Sequence, residues 1–185
     1  MRMSESATQS QAAAPTLEHH VAEVFGLTGD SWMRHANPIS VWTRFSVVSL
    51  FAISIWSRDW IGWWCLIPLA GSALWLVTNP LLFDVPTSTR SWASKAVFGE
   101  RIWADRTSLD IPAQFRSRVP NLANAFSCIG VAMLAGGLVV LDVWLVVAGI
   151  VIVHGGKLWY LDRMVLLFDD TKQRDATVAS WEYGS

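Results

Sequence analysis

The sequence has little charge for its length. Only 16% of its 185 residues are charged, whereas a soluble domain carries about 25%. Hydrophobic residues make up 52% of the chain, and the mean hydropathy is +0.35. This balance disfavours a soluble enzyme, a nucleic-acid-binding protein and a disordered chain, and it indicates that lipid is the main solvent.

Motifs that would identify a partner or a reaction are also missing. No basic stripe of the kind that nucleic acid requires is present, so we expect no nucleic-acid partner. Cys65 and Cys128 stand in separate apolar stretches without a C-x-x-C motif, which argues against a zinc site or a disulfide framework. The H-E-x-x-H, P-loop, G-x-S-x-G and G-x-G-x-x-G motifs are absent as well. Whether the protein is an enzyme therefore stays open.

Long apolar stretches and tryptophan, by contrast, are abundant. A transmembrane helix needs about 20 apolar residues, and four stretches approach this length: about 39–56, 60–78, 121–141 and 143–161. The twelve tryptophans suit the membrane boundary, where an apolar ring keeps its N–H in water. Within each pair of stretches the connection is a tight turn. The sequence thus predicts an all-α integral membrane protein, a four-helix bundle of two helical hairpins.

The remaining segments flank these spans. Residues 1–15 are predicted to be a disordered tail, residues 16–168 a single membrane domain that begins with a short helix, and residues 169–185 a polar, frayed tail. Two prolines bear on the second span. Pro68 should kink it, and Pro80 should end it.

Between the second and third spans, residues 91–106 have helical periodicity without the composition of a span. Their apolar stripe, which is typical of an interfacial amphipathic helix, consists of Trp92, Ala96, Gly99 and Trp103. The alternative is a helix whose stripe packs on the protein's own spans. The sequence does not choose between these interpretations.

Positive charge is distributed unevenly around the spans. Of fourteen Lys and Arg residues, only Arg58 falls in a short turn between spans. Because cationic residues are retained on the cytoplasmic side, both termini and the loop of residues 80–119 are predicted to lie in the cytoplasm. The turns near Arg58 and Asp142 would face outward. The expected location is the cell inner membrane, with several crossings.

Polar residues gather at the predicted cytoplasmic ends of the spans. The candidates for chemistry are His35, Glu100, His154 and Asp162. Two imidazoles and two carboxylates could hold a divalent metal or perform acid–base catalysis on a lipid-like substrate. Other polar residues of this region could bind a ligand or form a structural network that fastens the loop to the bundle: Asn37, Arg44, Asn79, Lys95, Arg106, Lys157 and Arg163.

Small residues on the third span predict a contact surface. Cys128, Ala132 and Gly136 recur at every fourth position, and such a flat face allows close contact between helices in lipid. The partner would be a second copy of the chain or another membrane subunit, in addition to the membrane lipid itself.

Several short blocks of this sequence form a recognisable pattern: Trp32 to Arg44, Asn79-Pro80, Trp92 to Lys95, Gly99 to Arg101, Gly156 to Trp159 and Asp162 to Met164. These blocks resemble a small family of bacterial and archaeal membrane proteins classed only as a domain of unknown function, and the likeness covers about residues 20–170. The resemblance implies an integral membrane protein and supplies no activity, cofactor or catalytic residue.

Three hypotheses of function follow from the sequence. The first is a non-catalytic membrane component or subunit, which the small-residue face and the short turns favour. The alternative is a membrane enzyme that acts on a lipid-like substrate at the cytoplasmic face through the His and carboxylate cluster. The third is a small oligomeric transporter, for which the outer halves of the spans offer few polar residues.

Overall fold

A computed structural model of the chain describes residues 30–106, 111–115 and 119–184, and the predicted N-terminal tail and first short helix lie outside these ranges. The regular elements of the described part are helices, which confirms the all-α prediction there. The α-helices are α1 (Asp30–His35), α2 (Pro38–Trp56), α3 (Arg58–Ile61), α4 (Leu66–Leu82), α5 (Trp92–Ala104), α6 (Val119–Val140), α7 (Val143–Thr171) and α8 (Ala176–Ala179). Short 3₁₀ turns occupy Gly62–Cys65 and Ala113–Phe115.

Three candidate spans are long and apolar enough to cross a membrane, and the second of them includes residues 116–118, which lie outside the described ranges. They are Pro38–Leu82, Ala113–Val140 and Val143–Thr171, with lengths of 45, 28 and 29 residues. The first stretch contains both the first and the second predicted span. In their most apolar windows only 17–22% of the residues are buried inside the protein, so these helices present most of their apolar side chains outward.

Helices α2 and α4 lie side by side and are joined by buried polar groups. Near one end, Ser40 Oγ donates a hydrogen bond of 2.7 Å to Asn79 Oδ1. Near the other end, the hydroxyls of Ser54 and Ser72 are 3.4 Å apart. These contacts satisfy side chains that would be costly to leave unpaired in an apolar setting.

The second predicted span is not one continuous helix. The short helix α3 and the 3₁₀ turn precede α4, which begins at Leu66. Pro68 therefore falls in the first turn of α4, where its missing N–H has no partner within the helix. The prediction that Pro80 ends the helix is wrong, because α4 continues to Leu82. Only the last turn lacks the hydrogen bond that proline cannot make.

Helices α6 and α7 pack closely against each other, and glycines make this approach possible. A Cβ added to Gly149 would lie 2.5 Å from the backbone nitrogen of Leu134, and one added to Gly130 would lie 2.6 Å from that of Val153. Such distances leave no room for any side chain. Cys128, on the face predicted to contact a second copy or another subunit, is exposed in the single chain.

Helix α5 is a packed helix rather than an interfacial one. Nine of its thirteen residues are buried, and it lies against the C-terminal half of α7. Gly99 allows this contact, because an added Cβ would overlap the backbone of Met164. Of the two interpretations of residues 91–106, the structure therefore supports packing on the protein's own helix. The predicted apolar stripe of α5 therefore contacts the protein's own helices rather than lipid.

The C-terminal segment packs against α5 and α7, so the prediction that this segment is frayed is wrong. Val178 is 1% exposed, and the ring of Trp181 lies 5.8 Å from that of Phe98. Thr89 and Tyr183 exchange two hydrogen bonds, of 3.0 Å and 2.8 Å. The polar composition of the segment is explained by its position at the surface, while its few apolar residues anchor it.

Candidate functional site

A cavity of about 730 Å³ lies among helices α1, α2, α4, α5, α6 and α7. This volume is within the range of small-molecule sites, about 300–1,000 Å³. Apolar side chains form most of its wall, including Val48, Phe51, Leu76 and Val153. Its polar lining includes five residues that the sequence analysis singled out: His35, Arg44, Glu100, His154 and Lys157.

Arg44 and His35 meet at one part of the cavity wall. His35 ends α1, and Arg44 follows in the second turn of α2 after the break at Asn37-Pro38. Arg44 Nη2 donates to the backbone carbonyl of His35 at 3.1 Å, and Nη1 lies 2.8 Å from His35 Nε2. Burial, together with the positive charges of Arg44 and Lys157, holds the pKa of His35 well below its usual value. The imidazole is therefore neutral at pH 7 and accepts from the guanidinium.

Glu100 and Lys157 form an ion pair across α5 and α7. Lys157 Nζ donates to Glu100 Oε1 at 2.6 Å, and the same ammonium lies 4.9 Å from the centre of the Tyr160 ring. The side chains are 45% and 21% exposed for Lys157 and Glu100, so the pair sits at the rim rather than in the depth of the cavity. It fixes the position of one carboxylate and one cation beside the apolar wall.

His154 joins α7 to α2 through its ring. Its Nδ1 lies 2.8 Å from the carbonyl of Ile150, and its Nε2 lies 2.9 Å from the carbonyl of Phe45. Carbonyl oxygens only accept hydrogen bonds, and a neutral imidazole carries one N–H. One contact is thus a hydrogen bond in the neutral ring, and both are in the imidazolium. In either state the protein's own backbone occupies both ring nitrogens.

Asp162 is not part of this cavity. Its carboxylate pairs with the neighbouring Arg163 at 2.6 Å, and its side chain is 49% exposed. In the part of the chain that the structure describes, no group of three or more His, Cys, Asp or Glu side chains is placed to hold a metal ion. The four candidates therefore do not form one metal site. Three of them line a common cavity, and the fourth does not.

Residues 16–183 match the profile of a family described as a family of unknown function (DUF6653). The chain belongs to DUF6653. The match confirms the resemblance drawn from the sequence. It also covers more of the chain, because the matched region includes the packed C-terminal segment. No curated protein and no solved structure matches the chain.

The other polar residues of this DUF6653 chain serve separate contacts rather than one network. Asn37 caps α2, where its Oδ1 accepts from Ile39 N at 3.0 Å, and its Nδ2 donates to the carbonyl of Asp84 at 2.9 Å. Asn79 pairs with Ser40 inside the α2–α4 contact. Both asparagines therefore position helices near the cavity without lining it.

Lys95 supports the structural interpretation most directly. Its Nζ lies 3.1 Å from Asp169 Oδ1 and 3.2 Å from Glu182 Oε1, so it links α5, α7 and the C-terminal segment. Arg106 donates to the carbonyl of Trp103 at 2.8 Å and lies over that indole ring. Lys95 thus fastens separate elements together, whereas these contacts of Arg106 lie at the end of its own helix.

Two polar residues of α6 that line the cavity were not among the residues predicted from the sequence. Asn124 and Ser127 of α6 are part of its lining. They are three positions apart, so they share one face of an otherwise apolar helix. That spacing is the signal that could have identified them.

Proposed function

We propose that this protein is a multi-pass membrane protein that crosses the inner membrane four times and binds an amphipathic, lipid-like molecule in its cavity. The observation that carries the proposal is the composition of the cavity. Its wall is mostly apolar, while cationic and anionic side chains stand together at one part of it. A lipid-like molecule has the same division between an apolar chain and a polar head.

Four crossings are supported by the length and pairing of the first apolar stretch. Its 45 residues would extend about 68 Å as a helix, more than twice the thickness of the hydrocarbon core, about 30 Å. The chain returns on itself within this stretch, since Ser40 contacts Asn79 and Ser54 contacts Ser72.

The distribution of contacts between the helix pairs supports a common side for the two short turns. Arg58, at the turn after α2, donates to the carbonyls of Leu138 and Val139 at the end of α6. At the other end of the molecule, Ser94 Oγ donates to the carbonyl of Ala36 at 2.8 Å. We propose that this second end, which holds most of the cations, faces the cytoplasm together with both termini.

Binding fits the state of the polar groups better than catalysis does. A general base needs an accessible lone pair in contact with its substrate. His154 has both ring nitrogens against carbonyls, and Glu100 is held by Lys157. The first hypothesis, a non-catalytic component, is therefore the one we retain, with ligand binding as its role.

Filling the cavity tests the proposal. Leu76→Trp would place an indole in the cavity, whereas Leu74→Trp would place it on the outer surface of the same helix, where Leu74 is 64% exposed. Native mass spectrometry of the protein purified in a non-ionic detergent should show retained lipid in the wild type and in Leu74→Trp, and loss of it in Leu76→Trp. Equal retention by both variants, or no retained molecule in the wild type, would contradict the proposal.

Topology is tested separately with reporter fusions. Fusions at residues 105 and 185 should report the cytoplasm, and fusions at residues 59 and 142 the outer side. A fusion at residue 59 that reports the cytoplasm would mean that Pro38–Leu82 does not cross twice.

A further inference from the structure

We infer that the molecule in the cavity carries one anionic head group, a carboxylate or a phosphate, that pairs with Arg44. This inference rests on the proposed function, because it names the chemistry of the ligand that the same cavity holds. Its basis is a guanidinium that lines an apolar cavity and has no carboxylate within 4.0 Å among the described residues.

Arg44 is half-buried in an apolar helix and lines the cavity. Its described hydrogen bonds go to the ring and to the backbone carbonyl of His35. Within the described residues, no carboxylate lies within 4.0 Å of its guanidinium. A buried charge is costly unless it is paired, and a guanidinium matches carboxylate and phosphate oxygens in geometry as well as in charge.

The charges around the cavity leave an excess of one positive charge. Arg44 and Lys157 are cationic and Glu100 is anionic, and Glu100 is already paired with Lys157. His35 accepts from Arg44 as a neutral ring. Among the described lining residues, the cation without a carboxylate within 4.0 Å is thus Arg44, on which Glu100 acts only at longer range.

The position of Arg44 on α2 explains why the ligand should be amphipathic rather than a free anion. Val48 and Phe51, four and seven residues further on, lie on the same helix face and line the same cavity. At 1.5 Å per residue, Phe51 is about 10 Å along the helix from Arg44. Leu76 and Val153 face this stretch from α4 and α7. A head group at Arg44 would therefore place its alkyl chain along an apolar wall.

The test compares single-chain probes that share one alkyl chain and differ in the head group: oleate, oleyl phosphate and oleyl alcohol. Binding to the delipidated full-length protein in a non-ionic detergent is measured by native mass spectrometry and by tryptophan fluorescence. We expect oleate and oleyl phosphate to bind at least about tenfold more tightly than oleyl alcohol, which is the size of one charge-assisted hydrogen bond.

Two substitutions should act in opposite directions, which a folding defect cannot imitate. Arg44→Gln should reduce the preference for the anionic probes about tenfold or more. Glu100→Gln removes the only carboxylate among the described lining residues and should increase that preference. Arg90→Gln, at an exposed residue outside the cavity, is the matched control and should change nothing.

The outcomes separate this inference from the proposed function. If the wild type binds no probe, the proposed function fails. If it binds all three probes equally, or if Arg44→Gln keeps the anionic preference, only the anionic head group is refuted. If millimolar inorganic phosphate displaces oleyl phosphate completely while oleate does not bind, the site is one for a free anion, and the inference is overturned.

Discussion

Glycine-to-alanine substitutions along α7 give a direct measure of how tightly α6 and α7 pack. Three positions differ in what an added methyl group would meet. At Gly149 it would lie 2.5 Å from the nitrogen and 2.8 Å from the Cα of Leu134, whereas at Gly155 nothing lies within 4 Å. At Gly156 it would overlap the hydroxyl of Ser127, which can rotate, and lie 2.9 Å from the backbone nitrogen of Ser127 and 3.0 Å from the carbonyl of Ala123.

The magnitude follows from two opposing terms. Alanine gains about 1 kcal/mol over glycine from helix propensity, and this term is shared by the three variants. An added methyl group in a packed interface costs about 1–3 kcal/mol. Gly149→Ala should therefore be about 1–3 kcal/mol less stable than Gly155→Ala. Gly156→Ala should fall between the two.

Reversible unfolding in mixed micelles, followed by far-ultraviolet circular dichroism, measures these free energies. Gly155→Ala is the internal control, because it carries the same chemical change on the same helix. Equal free energies of unfolding for Gly149→Ala and Gly155→Ala would refute the reasoning, since the backbone contact with Leu134 would then not exist in the folded protein.

Three further predictions concern single side chains. His154→Phe keeps an aromatic ring but removes the ring nitrogen that contacts the Phe45 carbonyl of α2, and it should lower the free energy of unfolding by about 1 kcal/mol in the same assay. The hydrogen bond from Lys172 is the largest cause of the lowered pKa of Glu182. The stabilisation from the Glu182 carboxylate is therefore fully present above the usual carboxyl pKa of about 4.3, and it is lost as the pH falls through the lowered pKa of Glu182. Glu182→Gln should reduce the fall in thermal midpoint between about pH 5 and about pH 3, and an unchanged fall would contradict this assignment. Ala132→Leu, on the face shared with Cys128, should change the oligomer size on native gels if that face is an interface between copies; an unchanged size would remove that hypothesis.

Properties that depend on composition along the chain could be predicted from the sequence. The long apolar helices were predicted near their observed positions because hydropathy alone identifies them. The exclusion of Asp162 from the cavity could also be anticipated. It lies five positions after Lys157, which places the two side chains about 140° apart around a helix of 3.6 residues per turn.

Properties that depend on which surfaces meet could not be predicted in the same way. An apolar stripe such as that of α5 looks the same whether it faces lipid or another helix. On α6, small residues occur on more than one face, and only the structure shows that Gly130 lies in the close contact with α7 while Cys128 is exposed. The cavity escaped prediction for the same reason, because it exists between elements rather than within one.

The way in which the two helix pairs are joined explains why a cavity remains between them. Within each pair the helices pack directly, through glycines in α6 and α7 and through Ser40 and Asn79 in α2 and α4. Between the pairs, the described contacts include side chains that reach across to backbone carbonyls: Arg58 to α6 at one end, and His154 to Phe45 further along. Such side chains hold helices apart as well as together. Their length sets a gap that apolar packing would otherwise close, and Arg44 lines this gap.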